Sequence, residues 1–429
     1  MTVVSSLSIA LSSLRTSQAA IETTSHNIAN AGTEGYTRQR VDRRAGFPRQ
    51  TIYGPLGSGV DVQGISRSRD GYLDARVRTT ASNANSLGIR TEFGQRVEDG
   101  LGEPDNGVTA SLGRLWGSFT TLAGKPGDAS MGTAVLSNLN DLAGRVNQAR
   151  TEFDNLGVNA TQRLQAELDT ANGAMDQIAA LNRIAPTGLP PDLADQRDNA
   201  IDQLAKSLGA TATMYPDGKV RVSVNGMTVV DGDFVSKLSL DPLNAGQVVH
   251  PAGPITVGGT AGGLQAVLTN DLPGYRAKLD NFVASLVSAI NTQHQLNKTT
   301  AGVNGAALLA DDGTAMTVLI VNPSGLAVAD AAGGAQNGNG ATSLALLRRT
   351  VDPNARDLVT YVGGTVANLN RSNTNAQNLS DTTNQQRLAV TGVNLDEEMA
   401  NLIADQKAYA AAARIITTVD SLLDTLIRM

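Results

Sequence analysis

Asn394-Leu395-Asp396-Glu397-Glu398-Met399-Ala400-Asn401-Leu402 opens the last helical stretch of the chain, and its reading decides the fold. Asn394 stands where an N-cap belongs, with Glu397 three residues on as in a capping box. Asp396, Glu397 and Glu398 put negative charge on the positive first turn. Leu395, Met399, Leu402, Gln406, Tyr409, Ala413, Ile416, Asp420, Leu423 and Ile427 then follow in alternating steps of four and three. Eight of these ten positions are apolar, which marks a heptad seam.

The other end of the chain carries the same pattern. Val4, Leu7, Leu11, Leu14, Gln18, Ile21, Ser25 and Ile28 alternate steps of three and four from Met1 to about Asn30, apolar at six of eight positions. Two seams at opposite termini predict a chain that goes out and returns, so that its ends pair antiparallel. One narrow seam sets little apolar burial against a backbone ordering cost of roughly 1–2 kcal/mol per residue. The termini are therefore expected to be loose alone and to order fully only against neighbouring subunits.

Between the seams the pattern changes repeatedly. From Ala31 to Arg78 Gly and Pro interrupt the helical period, with extended runs at Arg40–Arg44 and Val60–Val62. Helix is expected from near Gly71 towards Asp99. A long helix is expected from Ser130 to Ile184, its seam shifting by one place after Ala160 as at a stutter. Asp192 is placed to cap the next helix, which runs to Leu208. Val220, Val222 and Val224 alternate with polar residues before Asn225-Gly226, a strong hairpin signal. Leu272, Tyr275, Leu279, Phe282, Leu286 and Ile290 define a further amphipathic helix. Residues 299–342 read as irregular chain with one strand, Met316–Val321, and helix is expected again from near Ala355 to about Arg387. The fold class is thus mainly α with a small β module. The terminal helices pair as an antiparallel coiled coil, with an inner helical bundle and an inserted antiparallel β domain. The domains are residues 1–38 with 393–429, 39–209 with 258–392, and 210–257.

Composition excludes several functions. Among 429 residues there are 34 Lys plus Arg against 40 Asp plus Glu, a net charge of −6 that disfavours nucleic acid. The absence of cysteine removes thiolate nucleophiles and cysteine-ligated metals. Aromatics at 3% suit helix-on-helix seams better than aromatic-lined ligand pockets. No run of 18 apolar residues occurs, so no membrane insertion is expected, and no Lys or Arg precedes Arg15, unlike a secretory signal.

Catalytic patterns are mostly missing. His26, His250 and His294 are far apart and lie in no zinc motif, and neither a nucleophile elbow nor a phosphate loop occurs. Asp311-Asp312-Gly313 lacks the alternating oxygen ligands of a calcium loop and reads as a polar turn. No enzyme activity, metal or cofactor is expected. Arg38, Arg40, Arg43, Arg44 and Arg49 form a basic run that reads as a solvated or inter-subunit face.

Ser25-His26-Asn27-Ile28-Ala29-Asn30-Ala31, followed by Thr33-Glu34-Gly35-Tyr36, resembles the N-terminal signature of the bacterial flagellar axial family of rod, hook and hook-associated proteins. Gly392 to Leu402, with Gln406, Ala408-Tyr409, Ala411 to Arg414 and Asp420 to Ile427, is similar to its C-terminal signature. Gly35-Tyr36-Thr37-Arg38-Gln39, Gly57 to Val62 with Ile65, Arg67, Asp70 and Leu73, and Asp192 to Asp198 bring the resemblance nearest to the hook-associated members. The motif positions matched are Asn27, Asn30, Thr33, Gly35, Tyr36, Arg38, Gln39, Asn394, Glu397, Glu398, Gln406, Arg414 and Asp420. The chain is shorter than many such relatives and shows one β module, so an additional outermost domain is expected to be absent.

The resemblance implies a structural subunit of the flagellum at the junction between hook and filament, needed for filament assembly. It implies export through the flagellar type III apparatus without a cleaved signal, and an extracellular site in the flagellum. The implied partners are copies of the chain itself, the hook protein, a second hook–filament junction protein, and an export chaperone on the C-terminal helix. Alternatives are a hook or distal-rod subunit, an enzyme carried on the outward domains, and a cytoplasmic coiled-coil module. The assembly interface expected from the seams comprises Val4, Leu7, Leu11, Leu14, Ile21 and Ile28 with Leu395, Met399, Leu402, Tyr409, Ala413, Ile416, Leu423 and Ile427. Replacing Leu402 and Ile416 by Asp is predicted to abolish incorporation into flagella while the central domains stay folded. Swimming at the wild-type rate by this double variant would contradict the seam reading.

Overall fold

The computed structural model describes residues 2–51, 54–102, 107–330, 332–334 and 336–428. Helix α1 (Thr2–Ala29) leads into a twisted arm made of β1 (Gln39–Ala45), β2 (Arg49–Thr51), β3 (Gly54–Leu56) and β4 (Val60–Arg67). Within the arm β1 pairs antiparallel with β4, with a bulge after Asp42, and β2 pairs with β3 at the tip. Helices α2 (Gly71–Leu101), α3 (Val108–Gly124), α4 (Ala129–Ile184) and α5 (Pro191–Leu208) follow. The β module then interrupts the helices, and the chain returns through α6 (Gly259–Ala266), a π-helical turn at Val267–Asp271 and α7 (Leu272–Leu296).

Local chemistry fixes the helix boundaries. Asp70 accepts from the Tyr72 and Leu73 amides to start α2, and Gly102 ends it at φ 64°. Asp128 caps α4 in the same way. At 56 residues α4 is about 84 Å long. Its seam is buried throughout, from Val135, Leu139, Leu142 and Val146 to Ala160, Leu164, Leu168, Ala171, Met175 and Ile178, including the shift after Ala160. The cap expected at Asp192 is corrected: Pro190 is the N-cap and Pro191 the first helical residue, so Asp192 sits inside the first turn. A proline at that position presets the helical φ and needs no amide partner. Helix α3 has no counterpart in the sequence reading, although Val108, Leu112, Leu115, Phe119 and Leu122 are all buried at helical spacing.

The β module is antiparallel. Its larger sheet has the order β5 (Thr211–Met214), β6 (Val220–Val224), β7 (Met227–Asp231), β8 (Phe234–Val235). The smaller one joins β9 (Ser239–Leu240), β10 (Val248–His250) and β11 (Gly253–Ile255). Asn225 and Gly226 take φ of 45° and 82° at the β6–β7 hairpin, as the dipeptide required. Asn182 at the end of α4 stitches the module down. Its amide accepts from Val220 N (2.9 Å) and donates to the Val220 and Gly232 carbonyls (2.8 and 2.7 Å).

Residues 298–329 contain more strand than the one expected: β12 (Lys298–Thr299), β13 (Leu309–Asp311), β14 (Met316–Val318) and β15 (Ala327–Ala329). The expected Met316–Val321 strand stops at Val318. Buried Arg150 of α4 holds β13 through Asp311 (2.6 Å) and α7 through Asp280 (2.8 Å). Helices α8 (Asn339–Leu346) and α9 (Arg348–Thr391) come next, so helix returns earlier than Ala355 and runs through Pro353. Asn394 then caps α10 (Leu395–Ile427), accepting from the Asp396 and Glu397 amides as expected. Helix α9 packs along α2 and α7, α3 along α4, and α10 along α1.

His294 is fully buried at the end of α7, where it clamps the 298–329 segment. Its Nδ1–H donates to the Ala306 carbonyl (2.7 Å), and Nε2 accepts from the Ala327 amide (2.8 Å). Both bonds together require the neutral ring. Burial pulls its pKa below the usual value and the Ala306 bond only partly offsets this. The unfolded chain therefore takes up a proton that the folded chain refuses. The clamp's contribution is complete above the ordinary histidine pKa and is lost as pH falls below it. Lowering the pH from about 7.5 to about 5.5 is expected to reduce amide protection across 298–329 in the native protein, measured as exchange relative to the intrinsic rate at each pH. In His294→Gln that pH dependence should be largely absent, and equal dependence in both proteins would refute the clamp.

Candidate assembly interface

The terminal helices meet at a buried polar lock. Asn27 lies on α1 and is 1% exposed; Glu398, in the first turn of α10, is 2% exposed. The Asn27 Nδ2 donates to Glu398 Oε2 (2.9 Å) and to the Gln39 carbonyl (2.8 Å). Its Oδ1 accepts from the Tyr36 hydroxyl (2.7 Å) and the Gln39 amide (2.9 Å). All four hydrogen-bonding positions of one amide are used. Arg38 closes the other side, with Nη2 2.7 Å from Glu398 Oε1 and Nη1 3.1 Å from Glu397 Oε2. Glu397 thus reaches Arg38, in place of the reciprocal half of a capping box.

The turn between α1 and β1 is shaped for this lock. The Asn30 Nδ2 donates to the His26 carbonyl (3.0 Å), and its Oδ1 accepts from Thr33 (3.3 Å). Gly35 has φ 75°, and a Cβ there would fall on the Asn199 amide of α5. The Tyr36 hydroxyl also meets His26 Nδ1 (3.0 Å). Burial, then the carboxylates of Asp192, Asp195 and Glu398, push that hydroxyl's pKa well up, so it stays a donor. Gln39 Nε2 donates to Asp192 Oδ1 (2.9 Å), and the Thr37 amide to Asp195 (2.9 Å).

Behind the lock an arginine–aspartate cluster bolts the arm to the bundle. Arg67 lies 2.7 Å from both Asp195 and Asp198. Arg69 reaches Asp198 and lies 2.7 Å from Asp74, and Arg78 is 2.6 Å from Asp202, which also pairs with Arg387 of α9. Burial alone would raise the Asp202 pKa, but Arg78 and Arg387 outweigh it and hold the carboxyl low. Arg197 donates to the Gly218 carbonyl (2.7 Å) and is drawn down to about 10 by burial, then by Arg67 and Arg69. An open cleft of about 650 Å³ lies beside this cluster, between the 31–37 turn, α2, α5 and α9. Among the described residues no group of His, Asp or Glu is arranged to hold a metal, and no helix is long and apolar enough to cross a membrane.

Asn27 sits opposite Glu398, so α1 and α10 run antiparallel. The stripe of α1 that becomes buried is a line of small and polar residues: Ala10, Thr16, Ser17, Ala20, Thr23, Thr24 and Asn27. This corrects the sequence reading of which face pairs within the chain. Leu7, Leu14, Ile21 and Ile28 are only half-buried, and Leu11 is exposed. The Val4 side chain lies outside the described residues. On α10 the inward line runs Glu398, Leu402, Asp405, Tyr409, Ala412, Ile416, Val419 and Leu423. Leu402, Ala413, Ile416 and Leu423 of the expected seam are half-buried, and Tyr409 is partly exposed. Leu395, Met399 and Ile427 are exposed, as are Ile9, Ile403, Ile415 and Leu422. Small residues let the two helices approach closely, which leaves the larger side chains on the flanks.

Of the motif residues, Asn27, Asn30, Thr33, Gly35, Tyr36, Arg38, Gln39, Asn394, Glu397 and Glu398 converge on this lock. Gln406, Arg414 and Asp420 lie exposed along α10, away from it. Sequence reasoning missed Asp405, which pairs with Arg43 (2.9 Å), and Asp202 and Arg387. Their signal, a charge of opposite sign hundreds of positions away, has no local spacing.

Comparison with known proteins agrees with this geometry. The family profile described as the flagellar hook-associated protein FlgK helical domain matches residues 94–309. Two further profiles match the ends: flagella basal body rod protein at residues 7–37, and flagellar basal body rod FlgEFG protein C-terminal at 384–429. Flagellar hook-associated protein 1 of Bacillus subtilis is 28% identical, over 98% of this chain and 97% of that one. The protein of the same name from Salmonella typhimurium is 24% identical, over 98% and 99%. The flagellar hook junction protein FlgK from Burkholderia pseudomallei shares the fold at a TM-score of 0.51 and 24% identity, over 55% of this chain and 46% of that one.

The lock yields a direct test. In Asn27→Ala, Glu398 Oε2 and both Gln39 backbone groups lose their partner, at a cost of about 2–4 kcal/mol. Amide exchange at residues 37–41 and 395–399 is expected to accelerate by that free energy, with exchange in the β module unchanged. Unchanged protection at Gln39 would show that Asn27 does not hold the lock.

Proposed function

This chain belongs to the family of the flagellar hook-associated protein FlgK, and from that membership we propose that it is a structural subunit of the bacterial flagellum at the junction between hook and filament. The observation that carries the reading is the set of large apolar side chains left uncovered on two helices that are already paired. Leu395, Met399, Ile403, Ile415 and Leu422 stay exposed on α10, with Ile9 and Leu11 on α1. Leu395, Met399 and Ile403 follow one flank of α10 and Ile415 and Leu422 the other, and large apolar side chains left exposed on both flanks mark interaction surface. Neighbouring copies are the occupants that bury it, through residues 1–38 with 393–429 as the axial unit. The helical middle domain, 39–209 with 258–392, and the β domain, 210–257, face outward.

In this reading the hook protein lies on one side of the ring of subunits and a second hook–filament junction protein on the other. Before assembly, an export chaperone masks the exposed stripe of α10, and the chain leaves the cytoplasm without a cleaved signal. Its function resides in its interfaces. Every charged group at the lock has a structural partner, which supports an assembly role over catalysis.

A deletion strain separates this role from that of a hook or rod subunit. Loss of the chain is expected to leave hooks without filaments and filament subunits in the medium, whereas loss of a hook subunit leaves no hooks. Met399→Asp with Leu422→Asp changes only exposed positions. This variant is expected to keep the helical content of the wild-type monomer yet be absent from sheared flagella. Its recovery from flagella at wild-type levels would overturn the proposal.

A further inference from the structure

Asn225-Gly226 forms the tip of the β6–β7 hairpin, and the same dipeptide is a reactive one. An Asn side chain followed by Gly can be attacked by the next backbone nitrogen, since Gly offers no Cβ in the way. Five Asn-Gly pairs occur among the described residues, and four are tied down. The Asn172 amide bonds the Leu238 backbone in both directions, with Gly173 inside α4. The Asn304 side chain accepts from Lys298, and the Gly305 amide donates to the Asn297 carbonyl (3.0 Å). Asn337 accepts from the Asp330 and Asn339 amides. The Asn339 side chain donates to Asp330 Oδ2 (2.8 Å), and Gly340 is buried against the Val328 backbone.

Asn225 is different. Its side chain is exposed and makes no hydrogen bond among the described residues. Val224 pairs with Met227 across the turn, so the Gly226 amide lies outside the ladder. Nothing lies within 4 Å of the place a Cβ would take on Gly226. With φ of 45° at Asn225 and 82° at Gly226, the turn is type I′. Rotating the single peptide between the two residues converts it to type II′. The first residue then keeps its positive φ and takes ψ of about −120°. Glycine accepts the negative φ this needs at the second position, and the strand pairs on either side stay as they are. In type II′ the Gly226 nitrogen swings to the side of the Asn225 side chain, within reach of Cγ.

We propose that Asn225 is a self-modification site, converted through a cyclic imide to aspartate and isoaspartate. The Gly226 nitrogen attacks Asn225 Cγ. A new N–C bond closes a five-membered ring as the bond from Cγ to the side-chain nitrogen breaks. The proton lost by the Gly226 nitrogen goes to the leaving group, which departs as ammonia. Water then adds to one of the two imide carbonyls and opens the ring. Overall one water is consumed and one ammonia released. Either product puts a new carboxylate on the hairpin tip, and isoaspartate also adds one carbon to the main chain of the turn.

The test incubates the native full-length protein at neutral pH in water enriched in oxygen-18 and maps its peptides by mass spectrometry. The peptide holding Asn225 is expected to give two chromatographically distinct products, each with one heavy oxygen, isoaspartate in excess. Asn225 is expected to react at least about tenfold faster than Asn172, Asn304, Asn337 or Asn339, whose hydrogen bonds must break first. In urea-unfolded chain all five are expected to react at similar rates, which ties the selectivity to the fold. Conversion of Asn225 in the native protein no faster than the other four overturns the proposal. So does aspartate without isoaspartate, which marks direct hydrolysis of the side chain, or the same selectivity in urea.

Discussion

The structure depends on the four hydrogen bonds of one amide. Asn27 touches the turn, the first residue of β1 and the first turn of α10 together. A buried amide with every position satisfied fixes register, because a shift of one residue would leave Glu398 and Gln39 without partners in a low-dielectric setting. Apolar contacts along α1 and α10 cannot do this, since they tolerate sliding. The lock therefore sets which faces of the two helices meet. The buried stripes are narrow: Ala10, Ala20 and Thr23 on α1, and Ala412 and Val419 on α10. The wide apolar side chains are left for other surfaces.

Much of this was legible in the sequence. The Asn394 cap, the α4 seam with its stutter and the Asn225-Gly226 hairpin were all readable, because each is encoded by residues within one or two turns of each other. The lock residues were also found, but through their resemblance to a family signature. The face used by α1 was misread for a physical reason. Hydrophobic periodicity reports where large apolar side chains lie, and it cannot say whether they meet the chain's own partner helix or another molecule. Ala10, Thr16, Ala20 and Thr23 repeat at a similar spacing but carry too little hydrophobic contrast to register. Helix α3 was equally legible, since Val108, Leu112, Leu115, Phe119 and Leu122 repeat at helical spacing. The Arg67–Asp198 and Arg387–Asp202 pairs join positions more than a hundred apart and have no local trace.

The aspartate face of α5 explains why the Gln196-Arg197-Asp198 block matters. Asp195 and Asp198 point to the arm and Arg197 points the other way, to the Gly218 carbonyl at the root of the β module. One helix thus holds the lock on one side and the inserted domain on the other. Asp195, Asp198 and Asp202 are each held by arginines, so the region is fixed by charge pairs and not by apolar packing alone. Breaking one member strands its partner in a buried site, and a buried unpaired charge is far more costly than an exposed one.

The two chain crossings between the terminal pair and the bundle, at residues 31–38 and 392–394, lie side by side. The Arg38 amide donates to the Thr391 carbonyl (2.9 Å), and Ser68 holds the Val390 carbonyl (3.0 Å). Gly392 has no room for a side chain against the Leu388 carbonyl. Two parallel struts with cross-bracing resist shear, where a single tether would swivel. A twist applied to the terminal pair therefore meets the bundle through both crossings at once.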